Sequence, residues 1–223
     1  MIFLSPMIRQ FPCLAACLPV LLSFIAGHAP GAELVVRDAQ VIGLVEPGRY
    51  DYSLTSGSNS SNGEDGFTTA GALEIGGRYS FARPGDAFGL VSGIDLGLRN
   101  AESGSSELRS LMVHGSVGLG WAITDRWLAT LEGGVGIGYS DFSTNGTANY
   151  PAFSDRGDFF MIDGRLTAGY LLSDHWRVLG VLGYGQTTND FHKDRTDITL
   201  TQAGLSIGVG ISYVFSRIPT LVK

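Results

Sequence analysis

The amino-acid sequence predicts an all-β fold, a single antiparallel up-and-down β-barrel of about eight strands. Three observations predict it. Apolar and polar residues alternate with a period of two from about residue 48 onward, turn signals separate the alternating segments, and 32 glycines occur without a collagen-like repeat. The mean hydropathy of +0.16 is high for a water-soluble chain. No apolar run beyond the N-terminus approaches the roughly 18 residues of a membrane-spanning helix.

The first 32 residues are predicted to form a signal peptide. Arg9 is their only charged residue, residues 14–26 are apolar, and small residues follow. We therefore expect an exported protein whose signal peptide is cleaved. Both cysteines, Cys13 and Cys17, lie inside this segment, so we expect no disulfide in the mature chain. Loss of Arg9 changes the formal net charge from −6 to −7, and an acidic chain is a poor partner for nucleic acid.

The mature chain divides into three predicted parts. Residues 33–47 form an N-terminal lead segment, which could be an extra periplasmic strand, a plug in the lumen or a disordered lead. Residues 48–215 form the barrel, and residues 216–223 form a short C-terminal tail. The eight predicted strands lie near residues 48–56, 67–82, 88–100, 108–123, 127–142, 159–172, 176–188 and 198–215.

Each predicted strand has one apolar face and one face of small and polar residues. Over 108–123, for example, Leu111 and Val113 alternate with His114 and Ser116. A water-soluble sandwich with its apolar face turned inward would show the same pattern. The lengths of the connections favour a transmembrane barrel with a polar, small-residue lumen, because short periplasmic turns alternate with longer outer loops in such barrels. The predicted tight turns are 83–86, 124–126 and 173–175, and the predicted longer loops are 57–66, 101–107, 143–158 and 189–197.

Aromatic residues gather at both ends of the predicted strands, as expected at the two membrane interfaces. The belt at the tight turns includes Trp121, Trp127, Tyr170, Trp176, Tyr213 and Phe215. A second belt toward the longer loops would contain Tyr50, Tyr52, Tyr139, Phe142, Phe160 and Tyr184.

Charged residues fall on the polar face of the predicted strands. An arginine facing lipid at the membrane midplane would cost about 2–4 kcal/mol, so these side chains must point into the lumen. The predicted network of lumen charges is Glu74, Arg78, Asp95, Arg99, Glu132, Asp163 and Arg165. These charges could line an ion pathway. We favour a structural salt-bridge network, because the lumen of eight strands has room for side chains rather than for bulk water.

Two motifs carry a family resemblance. Residues 120–127 and 169–176 share the pattern G-[aromatic]-x-[aliphatic]-[ST]-D-x-W, and residues 210–215 read G-x-x-aromatic-x-aromatic. The chain thereby resembles the small outer-membrane β-barrel superfamily of OmpA-like, OmpX/Ail-like and opacity-type proteins. The resemblance implies the cell outer membrane of a Gram-negative bacterium, contact with outer-membrane lipid and lipopolysaccharide, and recognition of the C-terminal strand by the barrel-insertion machinery. The family usually ends at the final aromatic residue, whereas this chain continues to Lys223.

His114 and Ser116 lie two residues apart and therefore on one face of a strand. The pair resembles the H-x-S motif of outer-membrane lipid A deacylases, in which serine is the nucleophile. Val117 and Gly118 stand where that family has Asn and Ala, and the predicted register turns both residues away from lipid. We therefore predict no catalytic residues, and the sequence has no metal-ligand spacing or cofactor motif.

The sequence thus predicts a non-enzymatic outer-membrane barrel. Its role would be structural, in envelope integrity, or in surface interaction with a host or other surface ligand through its outer loops. The first alternative is a narrow porin-like channel for ions or small solutes. The second is a lipid A-modifying enzyme of the deacylase type.

Overall fold

The computed structural model describes residues 33–82, 88–146 and 152–215. The predicted signal peptide at 1–32, the turn at 83–86 and the tail at 216–223 lie outside the described residues. The chain divides into two units, residues 1–33 and residues 34–223, and the second contains nearly all of the described structure. Within the described residues, no helix is long and apolar enough to span a membrane.

The described residues form ten strands. They are β1 (Glu33–Val45), β2 (Arg49–Ser56), β3 (Asn59–Gly66), β4 (Thr69–Ala82), β5 (Phe88–Glu102), β6 (Ser106–Ala122), β7 (Trp127–Thr144), β8 (Phe153–Leu171), β9 (Trp176–Lys193) and β10 (Thr196–Val214).

The ten strands belong to one antiparallel sheet that closes on itself. Its order is β1-β4-β5-β6-β7-β8-β9-β10-β2-β3, with an additional pairing between β1 and β10. Eight strands therefore form the ring, and β2 and β3 form a hairpin attached to it. Closure leaves no edge in the ring, which is the condition for a sheet to span a membrane. The predicted all-β, up-and-down barrel is confirmed.

The predicted start of the barrel at residue 48 is wrong. The supposed lead segment contains β1, which closes the ring by pairing with β10 from Asp38↔Val214 to Val45↔Ile207. The predicted first strand corresponds to β2, which pairs with a different part of β10. Pro47 and Gly48 separate β1 from β2. Proline has no N–H to donate to a ladder, so the strand is interrupted there and resumes in the outer hairpin.

The two faces of the ring differ as a membrane barrel requires. On β6, His114 and Ser116 are buried inside, whereas Val113 on the outer surface is 53% exposed. The exposed apolar residues surround the ring and include Leu73, Ile75, Ile94, Leu96, Leu98, Ile137, Ile162, Leu182, Leu205, Ile207 and Val209. An apolar surface of this extent is expected to contact lipid rather than water.

The apolar outer surface has the height of a membrane core. On β5 it extends from Phe88 to Leu98, and Asn100 is the next outward residue beyond it. Ten residues of a strand tilted by about 40° rise about 25 Å, which matches the lipid-facing band of outer-membrane barrels. The strands continue beyond this band at the end opposite the tight turns. That end is therefore the outer one.

Most residues of the predicted outer loops are in strands. The described residues of these loops that lie between strands are 57–58, 103–105, 145–146, 152 and 194–195. The hairpins project from the membrane as paired strands, because backbone pairing satisfies the N–H and C=O groups that a loop would leave to water.

The repeated motif forms the same turn twice. Ile123 and Thr124 donate backbone N–H groups to the carbonyl of Trp127, at 2.9 and 3.3 Å. In the second copy the residue pair 172–173 donates to the carbonyl of Trp176, at 2.8 and 3.3 Å. The Thr124 hydroxyl accepts a hydrogen bond from the Trp127 backbone N–H. In the second copy, the Ser173 hydroxyl accepts a hydrogen bond from the Trp176 backbone N–H. The [ST]-D-x-W sequence therefore encodes the turn through a side chain that caps it.

Candidate functional site in the barrel lumen

The inward face of the ring holds the charged residues that the sequence analysis assigned to the lumen. Glu74, Arg78, Asp95, Glu132 and Arg165 are each at most 5% exposed. The Asp163 and Arg99 side chains are 8% and 9% exposed. Charged side chains that are buried to this extent need oppositely charged partners, because an unpaired charge in a medium of low dielectric constant destabilises the fold.

Arg165 on β8 reaches Glu74 on β4. Its Nη2 lies 2.9 Å from Glu74 Oε1, and its Nη1 donates to the other carboxylate oxygen. The same guanidinium donates from Nε to Asp163, two residues away on β8. Because β4 and β8 are four places apart in a ring of eight, the fork-shaped pair crosses the lumen from one wall to the opposite one.

Arg78 is held by two carboxylates. Its Nη1 lies 2.9 Å from both oxygens of Asp95, and its Nε lies 2.9 Å from Glu132 Oε2. Glu132 also accepts hydrogen bonds from Ser116 Oγ at 2.7 Å and Thr130 Oγ1 at 2.8 Å. The carboxylate oxygens are thereby satisfied, which is what a buried ion pair needs if it is not to weaken the fold.

Three charged residues nearer the tight turns extend the network. Arg37 Nε and Arg177 Nη1 approach Asp38 Oδ2 at 2.8 and 3.1 Å. Arg37 and Asp38 were not predicted as lumen residues, because residues 33–47 were set apart from the barrel. The alternation of Asp38 with Gln40 is a signal that could have assigned Asp38 to the lumen. Arg37 is buried next to Asp38, against the period of two, so no pattern in the sequence assigns it. We define the lumen network as Arg37, Asp38, Glu74, Arg78, Asp95, His114, Glu132, Asp163, Arg165 and Arg177.

Arg99 is not joined to the lumen network by any of these ion pairs. Its Nη2 and Nε lie 2.5 and 2.8 Å from Glu46 Oε2, beside the break between β1 and β2. Its guanidinium carbon lies 5.3 Å from the ring centre of Phe159. Arg99 therefore marks the boundary between the charged part of the lumen and the apolar part above it.

The outer end of the lumen is apolar. One cluster of buried residues fills it: Tyr50, Tyr52, Leu54, Phe67, Ala101, Leu108, Phe142, Phe153, Phe191, Ile198 and Leu200. Phe142 and Phe191 lie 5.4 Å apart between ring centres, and both are at most 1% exposed. We call this set the outer apolar cluster. Its members are each at most 9% exposed, so their side chains occupy the interior of the barrel at this end.

The outer apolar cluster corrects the predicted second aromatic belt. Tyr50, Tyr52 and Phe142 point into the barrel, whereas Tyr139 and Tyr184 face outward and are 40% and 63% exposed. The reason is that the strands rise above the membrane here. Water surrounds them on the outside, so the large apolar side chains are buried inside instead.

The aromatic residues assigned to the periplasmic belt lie at the tight-turn end of the ring. Trp127 and Tyr170 have ring centres 4.9 Å apart, and Trp176 and Tyr213 lie 5.2 Å apart. Phe215 lies 5.2 Å from Tyr213 and is 59% exposed. Trp121, also in this belt, contacts Phe88 edge to face at 6.1 Å. Partly exposed aromatic rings at one level are typical of a membrane interface.

His114 and Ser116 do not form a nucleophile and its base. Ser116 Oγ donates to Glu132, whereas His114 Nε2 lies 2.9 Å from Asp163 Oδ1. Both residues face the lumen, as the register predicts, and His114 is 0% exposed. A lipid substrate on the outside of the ring would not reach them. Among the described residues, no group of three His, Cys, Asp or Glu side chains is placed to hold a metal ion.

Several ion pairs lie outside the lumen, and one of them is on the projecting part of β7 and β8. Arg156 Nε lies 2.8 Å from Asp141 Oδ1, and the guanidinium carbon lies 4.8 Å from the ring centre of Tyr139. The hydrogen bond from Arg156 holds the pKa of Asp141 below its ordinary value. Both side chains are more than half exposed, so the pair fixes geometry at the surface more than it stabilises the fold.

The closed ring, its apolar outer surface and its charged lumen define an outer-membrane β-barrel. The chain belongs to the outer membrane protein beta-barrel domain family, whose sequence profile matches residues 91–217. The predicted membership of the outer-membrane barrels is thereby confirmed, and the cell outer membrane is its location. No curated protein matches the chain.

Solved structures with a similar arrangement include three bacterial barrels. The attachment invasion locus protein Ail of Yersinia pestis is 12% identical, with a TM-score of 0.41 over 80% of this chain and 99% of Ail. Neisserial surface protein A is 11% identical, with a TM-score of 0.41 over 79% of this chain and 97% of its own. The N-terminal β-barrel domain of Pseudomonas aeruginosa OprF is 9% identical, with a TM-score of 0.33 over 81% of this chain and 100% of that domain.

Proposed function

We propose that this protein is a closed, non-enzymatic barrel that acts at the cell surface, through the hairpin formed by β2 and β3. The observation that carries the proposal is the edge of this hairpin. Strand β2 pairs with the outer part of β10, from Thr196↔Ser56 to Thr201↔Asp51. Among the described strands, β3 pairs only with β2. One side of the β3 backbone therefore faces water with its N–H and C=O groups available.

The hairpin of β2 and β3 is anchored to the barrel by buried side chains. Tyr50, Tyr52 and Leu54 of β2 are buried in the outer apolar cluster, which ties the hairpin to the inside of the barrel. Strand β3 has no buried residue and reads Asn-Ser-Ser-Asn-Gly-Glu-Asp-Gly. It contains neither the lysine nor the proline that commonly protects an exposed edge against another strand.

The chemistry of this edge indicates an extended segment of a partner protein. Addition of a strand to a sheet edge provides affinity through backbone hydrogen bonds, and neighbouring side chains provide selectivity. Asp51, Glu64 and Asp65 make the hairpin acidic, and Arg49 approaches Glu64 only at 4.0 Å with both side chains largely exposed. A segment with basic residues is therefore favoured.

The filled lumen supports a barrel that is closed. The Arg165–Glu74 pair spans the ring, and the outer apolar cluster occupies the outer mouth. The hydrogen bond from Ser116 to Glu132 supports a role outside catalysis. Contact of the apolar outer surface with outer-membrane lipid and lipopolysaccharide, and recognition of β10 and Phe215 by the barrel-insertion machinery, are further parts of the proposal. A stiff, lipid-anchored barrel of this kind would also contribute to envelope integrity.

Lysine substitutions on the hairpin test the proposal. Ser60→Lys with Asn62→Lys places two charges on the edge strand. Ser53→Lys with Thr55→Lys places two on β2, directly opposite and on the same face. Cells carrying each variant are compared for adhesion to cultured epithelial cells, to immobilised matrix proteins and to one another. We expect the edge variant to lose adhesion that the β2 variant retains. Equal adhesion of both variants and of cells without the protein would overturn the proposal.

A further inference from the structure

His114 lies between two carboxylates in the middle of the lumen network. On β6 it is 0% exposed, with Nε2 2.9 Å from Asp163 Oδ1 and Nδ1 3.5 Å from Asp95 Oδ2. Asp95 is on the adjacent strand β5, whereas Asp163 is on β8, beyond β7. The imidazole reaches Asp163 because Gly134 leaves room for it on β7.

The two contacts restrict the protonation of the ring. A neutral imidazole has one N–H and one lone pair, and an ionised carboxylate can only accept. With a neutral ring, one nitrogen lone pair would therefore lie within 3.5 Å of a carboxylate oxygen inside a low-dielectric lumen. A ring that carries hydrogen on both nitrogens is attracted to both carboxylates.

The charge balance of the lumen network leads to the same conclusion. The walls of the lumen network comprise the following inward groups: Glu74 and Arg78 from β4, Asp95 from β5, Glu132 from β7, and Asp163 and Arg165 from β8, with Gln40 from β1. Nearer the tight turns follow Arg37 and Asp38 from β1 and Arg177 from β9. Four arginines therefore face five carboxylates. With a neutral histidine the described network has one uncompensated negative charge, which is costly when buried.

We infer that His114 is protonated in the folded barrel and acts as the fifth cation of the lumen network, an imidazolium that bridges Asp95 and Asp163 and links β6 to β8. The described lumen network then contains equal numbers of positive and negative groups. The proton on His114 is a structural component of the barrel, and its removal at alkaline pH takes away the bridge between the two strands.

The direct test is the ¹⁵N NMR spectrum of the histidine side chains in the intact barrel, folded in detergent micelles and labelled at histidine. The exposed His192 serves as an internal comparison, because its side chain is 71% exposed and open to exchange with water. At pH 7.5 (about one unit above the ordinary histidine value), we expect both ring nitrogens of His114 to carry hydrogen. A spectrum with one protonated and one bare nitrogen at His114 would overturn the inference.

Charge variants give a second test that does not depend on the NMR assignment. If His114 is an imidazolium, Asp163→Asn leaves one positive charge in excess, and the urea-unfolding rate rises roughly a hundredfold, as for a stranded buried charge. The double variant Asp163→Asn with His114→Gln restores the charge balance of the lumen network. Its unfolding rate should return most of the way to that of the unmodified protein. If His114 is neutral, Asp163→Asn removes the excess carboxylate and leaves only the hydrogen bond from Arg165 unmade. An unfolding rate that is unchanged or slower in this single variant, or a faster rate that His114→Gln does not bring back, would overturn the inference.

Discussion

Arg165 and Glu74 join opposite walls of the barrel, since β8 and β4 are four places apart in the eight-stranded ring. Few side chains other than arginine are long enough to span such a lumen, and its fork binds both oxygens of the carboxylate. The pair is 5% and 1% exposed, so it lies in the dry interior of the lumen network. It fixes the distance between the walls and occupies the path that a solute would take.

Substitution of one member of this pair is expected to destabilise the barrel strongly. Glu74→Ala leaves the Arg165 guanidinium partly unpaired and should lower the free energy of unfolding by about 3–5 kcal/mol. Urea unfolding in micelles, followed by tryptophan fluorescence, measures the change. The double variant Glu74→Met with Arg165→Met removes both charges and should recover most of the loss. A single variant as stable as the original protein would show that the pair does not support the ring.

Arginine substitutions test where the membrane lies. Ile94 is 59% exposed and near the middle of the apolar band on β5, whereas Asn100 lies just beyond the outer edge of the band. Ile94→Arg should cost about 2–4 kcal/mol and Asn100→Arg about 0–1 kcal/mol, because the cost depends on depth in the lipid. Unfolding in lipid vesicles measures both. Equal costs would place the membrane elsewhere on the strand.

Gly134 is expected to tolerate no side chain. A Cβ at this position would lie 2.1 Å from His114 Nε2 and 2.7 Å from Asp163 Oδ1. Gly134→Ala should therefore destabilise the barrel by about 1–3 kcal/mol, through displacement of the imidazole. Gly115→Ala is the matched control, because Gly115 faces outward and a Cβ there would meet no atom within 4 Å. The free energy of unfolding of the two variants is measured in urea. Similar losses of stability in both would contradict the claim that Gly134 makes room for the His114 imidazole.

The projecting hairpin of β9 and β10 should show a pH-dependent contribution to stability. His192 Nδ1 lies 2.9 Å from Asp197 Oδ1, and this hydrogen bond raises the pKa of His192 above its ordinary value. A raised pKa in the folded state stabilises the protein below the ordinary histidine pKa. The contribution disappears as the pH rises through the raised value. Hydrogen exchange of the hairpin amides between pH 5 and 8 measures it, and His192→Gln should remove the dependence. If the stability of the hairpin depended on pH in the same way in the His192→Gln variant, the dependence would arise from another group.

The sequence was sufficient to predict the inward and outward faces of the membrane-spanning parts of β4 to β10, because a period of two leaves only two choices and lipid excludes charge from one of them. The prediction failed for residues 33–56 and for Phe142, which is buried inside the barrel above the membrane. Pro47 and Gly48 were interpreted as separating a lead segment from the first strand of the barrel, although they lie between two strands of the same sheet. Tyr50 and Tyr52 were assigned to a lipid-facing belt, because the pattern alone does not reveal that the strand has left the membrane.

Pairing across the lumen could not be predicted from the sequence. Which residues meet between non-neighbouring strands depends on the stagger of the closed ring, which no local pattern encodes. Arg165 and Glu74 were both assigned to the lumen, but their contact across it emerges only from the closed structure. The same applies to His114, whose partner Asp163 lies two strands away.

Conductance of the purified, folded protein in planar lipid bilayers tests the closed barrel most directly. The Arg165–Glu74 pair and the outer apolar cluster both obstruct the lumen. We therefore expect no steady unit conductance, even at a protein density at which an outer-membrane porin used as a positive control gives resolved openings. Steady, discrete openings of the unmodified protein would contradict it.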